Sequence, residues 1–299
     1  MPHNNEYKQG IIYALSAYIM WGVAPLYFKI IEDVAPLDIL LHRVVWSFLF
    51  ILTILLVTVR FKNIRALLKQ RKKIGLLVVT SLLIAVNWLI FIWSVTNGHM
   101  LDASLGYYIN PIFNVLLGTV FLQEKLRKMQ WVAVLLAVCA VLIELLVFGS
   151  IPWVSISLAV TFGFYGLLRK KIQADAMSGL FIETLILLPL ALAYVVFIDS
   201  SSLQSFVAEG ISFSLILIAS GVVTTLPLLA FSAAAIRIPL STLGFIQYIG
   251  PSLMLLLAVF MYNEPIGEHK LLSFGFIWLA LIVYTADGYR FRNKQKATA

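Results

Sequence analysis

The feature that most constrains this chain is a series of apolar blocks, each long enough to cross a bilayer. A spanning helix needs about 20 residues to cover about 30 Å of hydrocarbon. Ten such blocks lie at 9–30, 36–59, 74–96, 102–122, 129–147, 151–168, 179–198, 211–233, 240–261 and 270–288. They are continuously apolar and do not alternate, so helices are expected and not a barrel. The supply of charge agrees: 61% of the residues are hydrophobic and 12% charged, about half of what a water-facing surface uses. The first block carries Tyr18, Trp21, Pro25 and Lys29 and no small-residue cleavage site, and reads as a retained helix, not a signal peptide.

The net charge of +8 is explained by position. Nineteen of the 22 Lys and Arg fall in alternate gaps or at the termini. They are Lys8; Arg60, Lys62, Arg65, Lys69, Arg71, Lys72 and Lys73; Lys125, Arg127 and Lys128; Arg169, Lys170 and Lys171; Arg237; and Arg290, Arg292, Lys294 and Lys296. The opposite gaps hold Glu32, Asp33, Asp199, Glu209 and Glu268. Basic residues mark cytoplasmic loops, so both termini are expected in the cytoplasm, with an even number of spans. Topology signalling accounts for the basic loops better than nucleic-acid binding does, and no nucleic-acid partner is expected. Cys139 is the sole cysteine and lies inside an apolar block, which excludes an intramolecular disulfide.

The chain also repeats itself. Tyr108-Ile109-Asn110-Pro111 precedes Glu124, and Tyr248-Ile249-Gly250-Pro251 precedes Glu264, with an offset of 140 throughout. Ser104-Leu105-Gly106-Tyr107 matches Thr242-Leu243-Gly244-Phe245, and Trp21-Gly22 matches Tyr165-Gly166. Halves of five spans each must cross the membrane in opposite senses, because five is odd. The expected architecture is an all-α integral membrane protein of ten transmembrane helices, built as two inverted five-helix repeats over 1–149 and 150–299. Inverted repeats are a transporter architecture, because exchanging the conformations of the halves turns an inward-open form into an outward-open one.

These residues resemble a known family. Trp21-Gly22 with Lys29, Arg43 in the second block, and the two Pro-x12-Glu units look like the drug/metabolite transporter superfamily, EamA-type. The chain is more closely similar to the RarD proteins through Trp21-Gly22-Val23-Ala24-Pro25, His42-Arg43-Val44-Val45-Trp46-Ser47, Asn87-Trp88, Phe164-Tyr165-Gly166-Leu167 and Leu240-Ser241-Thr242-Leu243-Gly244-Phe245. The resemblance implies a bacterial inner-membrane permease that exports small amphipathic metabolites or drugs. Glu144 departs from that pattern, and its role is open.

Ionisable groups inside a membrane are costly and mark function or a fold-fixing pair. Arg43 lies seven residues into the second block and Glu183 is its offset-140 equivalent. The two either pair across the halves or act separately, Arg43 on an anionic substrate group and Glu183 in proton linkage. His42 is one turn from Asp38, and Lys29 is placed to snorkel or to line the outer mouth. Pro111 and Pro251 interrupt helices near the midplane, which makes Tyr107, Tyr108, Asn110, Gln247 and Tyr248 cavity candidates. Trp21, Trp46, Asn87, Trp88 and Tyr165 complete the expected substrate-binding set, with core packing as the alternative for each aromatic. Trp131, Trp153, Trp278 and Tyr289 read as interface anchors.

Rival classes are weaker. Four scattered histidines (His3, His42, His99 and His269) suggest no metal, and no phosphate loop or nucleophile motif appears, so neither an enzyme nor a cofactor is expected. A passive channel or a non-transporting membrane sensor are the remaining alternatives. The expected partners are a small-molecule substrate and the lipid bilayer, with protons as the coupling ion if a gradient drives transport.

Overall fold

The computed structural model describes residues 2–58, 61–97, 99–149, 151–197, 210–263 and 266–297. Arg60, Asp199, Glu209 and Glu264 lie outside the described residues, as do the side chains of His3, Asp102, Arg292, Lys294 and Lys296. Twelve helices and no strand occur among the described residues: α1 (Pro2–Ile30), α2 (Pro36–Thr58), α3 (Phe61–Leu68), α4 (Arg71–Thr96), α5 (Met100–Phe121), α6 (Lys128–Phe148), α7 (Trp153–Ile172), α8 (Ala176–Phe197), α9 (Ile211–Ala235), α10 (Leu240–Gln247), α11 (Ile249–Phe260) and α12 (Glu268–Ala297). Eight helical stretches are long and apolar enough to cross a membrane, α10 and α11 together making one. The two long helices outside that set are α5, whose hydropathy is lowered by Asn110 and Asn114, and α7, where Thr161 and the terminal Arg169, Lys170 and Lys171 do the same.

Large apolar side chains cover the outside of the bundle. Leu146, Val196, Phe197, Ile211 and Phe260 are each 70–83% exposed, a surface that water does not tolerate at this extent and lipid does. Cys139 is exposed on the same surface. Trp131, Trp153, Trp278 and Tyr289 are also exposed, as interface anchors require.

The helices pair in a definite pattern. α6 lies on α12, α5 on α7 and α10, α2 on α8 and α9, α1 on α9 and α11, and α4 on α7 and α8. Close approach is set by glycine where backbones meet. A Cβ on Gly221 of α9 would lie 2.4 Å from the carbonyl carbon of Trp46 in α2, so only glycine fits that crossing. One apolar core joins α1, α2, α4, α5 and α7–α10, around Tyr18, Ile51, Tyr165 and Phe231. A second joins α5, α6, α10 and α12, where Phe245 stacks on Tyr284 at 4.0 Å.

Three sequence expectations are corrected. The basic gap after the second block contains α3, a short amphipathic helix that buries Ile64 and Leu67 and keeps Lys62 and Arg65 exposed. Pro111 does not interrupt its helix: α5 runs unbroken through it. The corresponding segment of the second half does break, at Tyr248 between α10 and α11, with Pro251 in the first turn of α11, a position that tolerates the missing N–H. Arg169, read as a cytoplasmic loop charge, is 1% exposed inside the bundle.

Candidate functional site

The residues singled out by sequence separate into distinct groups. The first surrounds Arg43. Its Nε donates to Thr224 Oγ1 at 2.8 Å. Its guanidinium lies 4.8 Å from the Trp88 ring centroid and 5.6 Å from that of Phe28. Tyr27 and Tyr107 are near enough to interact with its charge, and the Tyr27 hydroxyl donates to Ile216 O at 2.8 Å. Arg43 sits seven residues into α2, a rise of about 10 Å. Helices α1, α2, α4, α5 and α9 converge there. Arg43, Phe28 and Trp88 are half-buried and Tyr107 is 37% exposed.

The second group is more deeply buried, with Tyr18, Tyr165 and Phe231 at 0–2% exposure. Tyr18, Trp21, Phe162, Tyr165 and Phe231 form a continuous ring cluster from α1, α7 and α9, with Tyr165 stacked on Phe231 at 5.9 Å. Two polar networks leave it. The Tyr165 hydroxyl donates to Glu183 Oε2 at 3.2 Å, and the Thr80 hydroxyl to Glu183 Oε1 at 2.6 Å. Arg169 Nη1 stands 3.6 Å from Glu183 Oε1, while Arg169 Nε donates to Ser232 Oγ. On the other side, the Tyr18 hydroxyl donates to Gln247 Oε1 at 3.4 Å. Asn114 Nδ2 donates to both Gln247 Oε1 and Asn110 Oδ1 at 3.0 Å, and Asn110 Nδ2 donates to Ala159 O. Every polar side chain in both networks is below 6% exposure.

The proposed Arg43–Glu183 pair is therefore not present. Glu183 is taken by Arg169, because its face of α8 turns toward Thr80 and Tyr165. Asn87 and Trp88, adjacent in sequence, point apart. Trp88 meets Arg43, and Asn87 Nδ2 donates to Leu158 O and Thr161 Oγ1 of α7. Lys29 binds Glu32 at 2.6 Å on the exposed end of α1 and is no part of the cluster. Trp46 Nε1 donates to His42 Nδ1 at 3.1 Å one turn away. Tyr108 and Tyr248 lie in the second core, where the Tyr248 hydroxyl donates to Tyr108 O at 3.1 Å. Glu144 is half-buried, with Oε1 sealed and without a hydrogen-bond partner among the described residues.

Several network members went unrecognised in the sequence. Asn114 carried a usable signal, four residues after Asn110 and on the same helix face. Thr80-Ser81 and Thr224-Thr225 are polar pairs inside apolar blocks, a weaker sign of the same kind. Arg169 carried none, since it abuts Lys170 and Lys171 at the end of its block.

The end of the bundle carrying the basic loops is held by further polar contacts. Glu124 accepts from Leu240 N at 2.6 Å, Ser241 N at 2.9 Å and Ser241 Oγ at 2.7 Å, capping α10. Lys170 Nζ donates to Ala235 O and Ile238 O, and Arg127 pairs with Asp287.

Comparison with known proteins adds the following. Residues 8–146 match the EamA-like transporter family. An uncharacterized transporter of Vibrio cholerae is 53% identical over 289 residues, covering 97% of this chain and 96% of its own. Protein RarD of Salmonella typhi is 51% identical over 288 residues, covering 96% of this chain and 98% of its own. Protein RarD of Escherichia coli is 50% identical over 280 residues, covering 94% and 95% respectively. A solved crystal structure at 16% identity superposes with a TM-score of 0.72, covering 93% of this chain and 97% of that one, a likeness of fold.

Proposed function

The chain belongs to the EamA-like transporters, alongside the RarD proteins, and on that premise we propose that it is a secondary transporter that exports small amphipathic metabolites or drug-like compounds by alternating access. It is a multi-pass bacterial membrane protein. The finer reading counts ten spans, adding α5 and α7 to the eight strongly apolar ones, with both termini cytoplasmic and two inverted halves, 1–149 and 150–299.

The observation that carries the reading is the exchange symmetry of the helix pairings. Matching α1 to α7, α2 to α8, α4 to α9, α5 to α10–α11, and α6 to α12 sends the α1–α9 contact to α4–α7. It sends α2–α9 to α4–α8, and α5–α7 to α1–α11. The α2–α8, α5–α10 and α6–α12 contacts map onto themselves. Tyr108 and Tyr248, 140 residues apart, meet each other, as residues beside a pseudo-twofold axis must. Two equivalent halves supply two conformations of similar energy, which alternating access requires.

In this reading the sealed end, with Arg169–Glu183 and Asn110–Asn114–Gln247, is the closed cytoplasmic gate, and the half-buried cluster at Arg43 faces the other side. Driving energy comes from a proton gradient or from the substrate gradient alone.

The test uses proteoliposomes loaded with a defined panel of amino acids, aromatic metabolites, their neutral amides and chloramphenicol. A carrier releases at least one compound saturably, and external substrate accelerates the release. Arg43→Ala and Trp88→Ala in folded protein lower that rate. Release without saturation points to a channel, and retention of every compound as in protein-free vesicles overturns the transport reading.

A further inference from the structure

Arg43, Glu144, Arg169 and Glu183 are ionisable side chains inside the described spans, as is His42, which accepts from Trp46. Arg169 and Glu183 neutralise each other. Glu144 is half-buried near one end of α6. Arg43 is a cation with no carboxylate in ion-pair distance among the described residues. A guanidinium has five N–H donors, and the only hydrogen bond it makes among them is from Nε to Thr224. Neither terminal nitrogen is sealed off. Lys29, next to Phe28 in sequence, is already bound to Glu32.

The surroundings restrict what can complete this cation. Phe28 and Trp88 lie within cation–π distance of the guanidinium, and its terminal nitrogens make no hydrogen bond among the described residues. Tyr107, 37% exposed, is near enough for its hydroxyl to interact with the same charge. A planar edge of two N–H groups matches a carboxylate in bidentate geometry. A single positive charge balances a monoanion. A phosphate dianion would be left half-neutralised, because no lysine or second arginine among the described residues is near enough to interact with Arg43.

Resting on the transporter reading above, we propose that Arg43, Phe28, Trp88 and Tyr107 form the binding site for an amphipathic monocarboxylate with an aromatic or flat apolar body. The carboxylate takes the guanidinium edge, and the apolar body lies against the rings. The transported species is then an organic acid in its ionised form and not a neutral or cationic drug.

The experiment compares N-acetylphenylalanine and N-acetyltryptophan with their amides at pH 7.5, reading the denaturation temperature of the purified protein in detergent as each compound is titrated. Each acid is expected to raise it saturably, with the amide at least tenfold weaker. Arg43→Gln, shown monodisperse, is expected to lose at least tenfold for the acids and to bind acid and amide alike, and Arg43→Lys to fall between. If Arg43→Gln does not fold, Trp88→Leu carries the test and is expected to weaken the acids at least threefold. Equal responses to acid and amide, acid affinity unchanged in whichever variant folds, or no response to either acid overturns the proposal. Vesicles that release neutral panel members but no carboxylate leave the transporter reading standing and remove this one. Vesicles that release nothing remove both.

Discussion

Replacing Arg169 by Met strands the Glu183 carboxylate in the bundle interior, and replacing Glu183 by Gln strands the guanidinium. Both side chains are 1% exposed and their charged atoms are 3.6 Å apart. At an effective dielectric constant of about 20, that separation corresponds to roughly 4–5 kcal/mol of attraction. Desolvation offsets much of this, so the pair adds little net stability over an apolar substitute, yet removing one partner alone costs about 3–5 kcal/mol. The two single variants and the double variant form a thermodynamic cycle, measured by reversible SDS-induced unfolding in mixed micelles. Each single variant is expected to lose about 3–5 kcal/mol, and the double variant to lose about 2 kcal/mol or more less than their sum. Gly179→Ala is an independent probe, since its added Cβ would sit 2.0 Å from Arg169 Nη1 and push the guanidinium away. Single variants each within about 1 kcal/mol of wild type, or costs that add within about 0.5 kcal/mol, would refute the argument that this is a coupled buried pair.

Gly221→Val is expected to reduce the yield of monodisperse protein sharply, because its Cβ would meet the backbone of Trp46 and overpacking against backbone costs about 1–3 kcal/mol or more; wild-type yield and melting would contradict the α2–α9 crossing. Glu124→Ala removes three hydrogen bonds to the start of α10 and is expected to lower unfolding stability by about 2 kcal/mol, with an unchanged unfolding midpoint as the contrary result. Cys139→Ala, on the lipid-facing side of α6, is expected to stay within about 0.5 kcal/mol of wild type in the same titration, and a larger loss would place the thiol in a packed contact.

The spans were legible because each is a continuous apolar block: 36–59 became Pro36–Thr58, 129–147 became Lys128–Phe148, and 211–233 became Ile211–Ala235. α3 was hidden because its apolar residues, of which Ile64 and Leu67 are buried, are a short pattern in a gap with seven basic residues. The site was less legible, for a geometric reason. Hydropathy says that a residue is in the membrane but not which face of its helix it occupies, and helix faces decide partners. Asn87 and Trp88 are neighbours in sequence and about 100° apart around α4, so one serves the α4–α7 contact and the other meets Arg43. Glu183 and Arg43 share a repeat position, but in the inverted reading proposed above equivalent positions lie toward opposite membrane faces, and although α2 touches α8 the carboxylate meets Thr80, Tyr165 and Arg169 instead. Arg169 shows the limit of charge counting, since a buried cation and a loop cation read alike at the end of an apolar block.

Glu124 joins the loop after α5 to residues 240 and 241, which are synthesised more than a hundred residues later. At about 5–20 residues per second on the ribosome, that carboxylate waits roughly ten seconds for its donors. During that interval the first half is in the membrane without the segment that packs along α5, and Asn114 lacks the Gln247 acceptor it will use. Biogenesis of this protein therefore passes through a stage in which polar groups of α5 are exposed to lipid or to whatever insertion machinery shields them, and closure of the bundle is a post-insertion event timed by the arrival of α10.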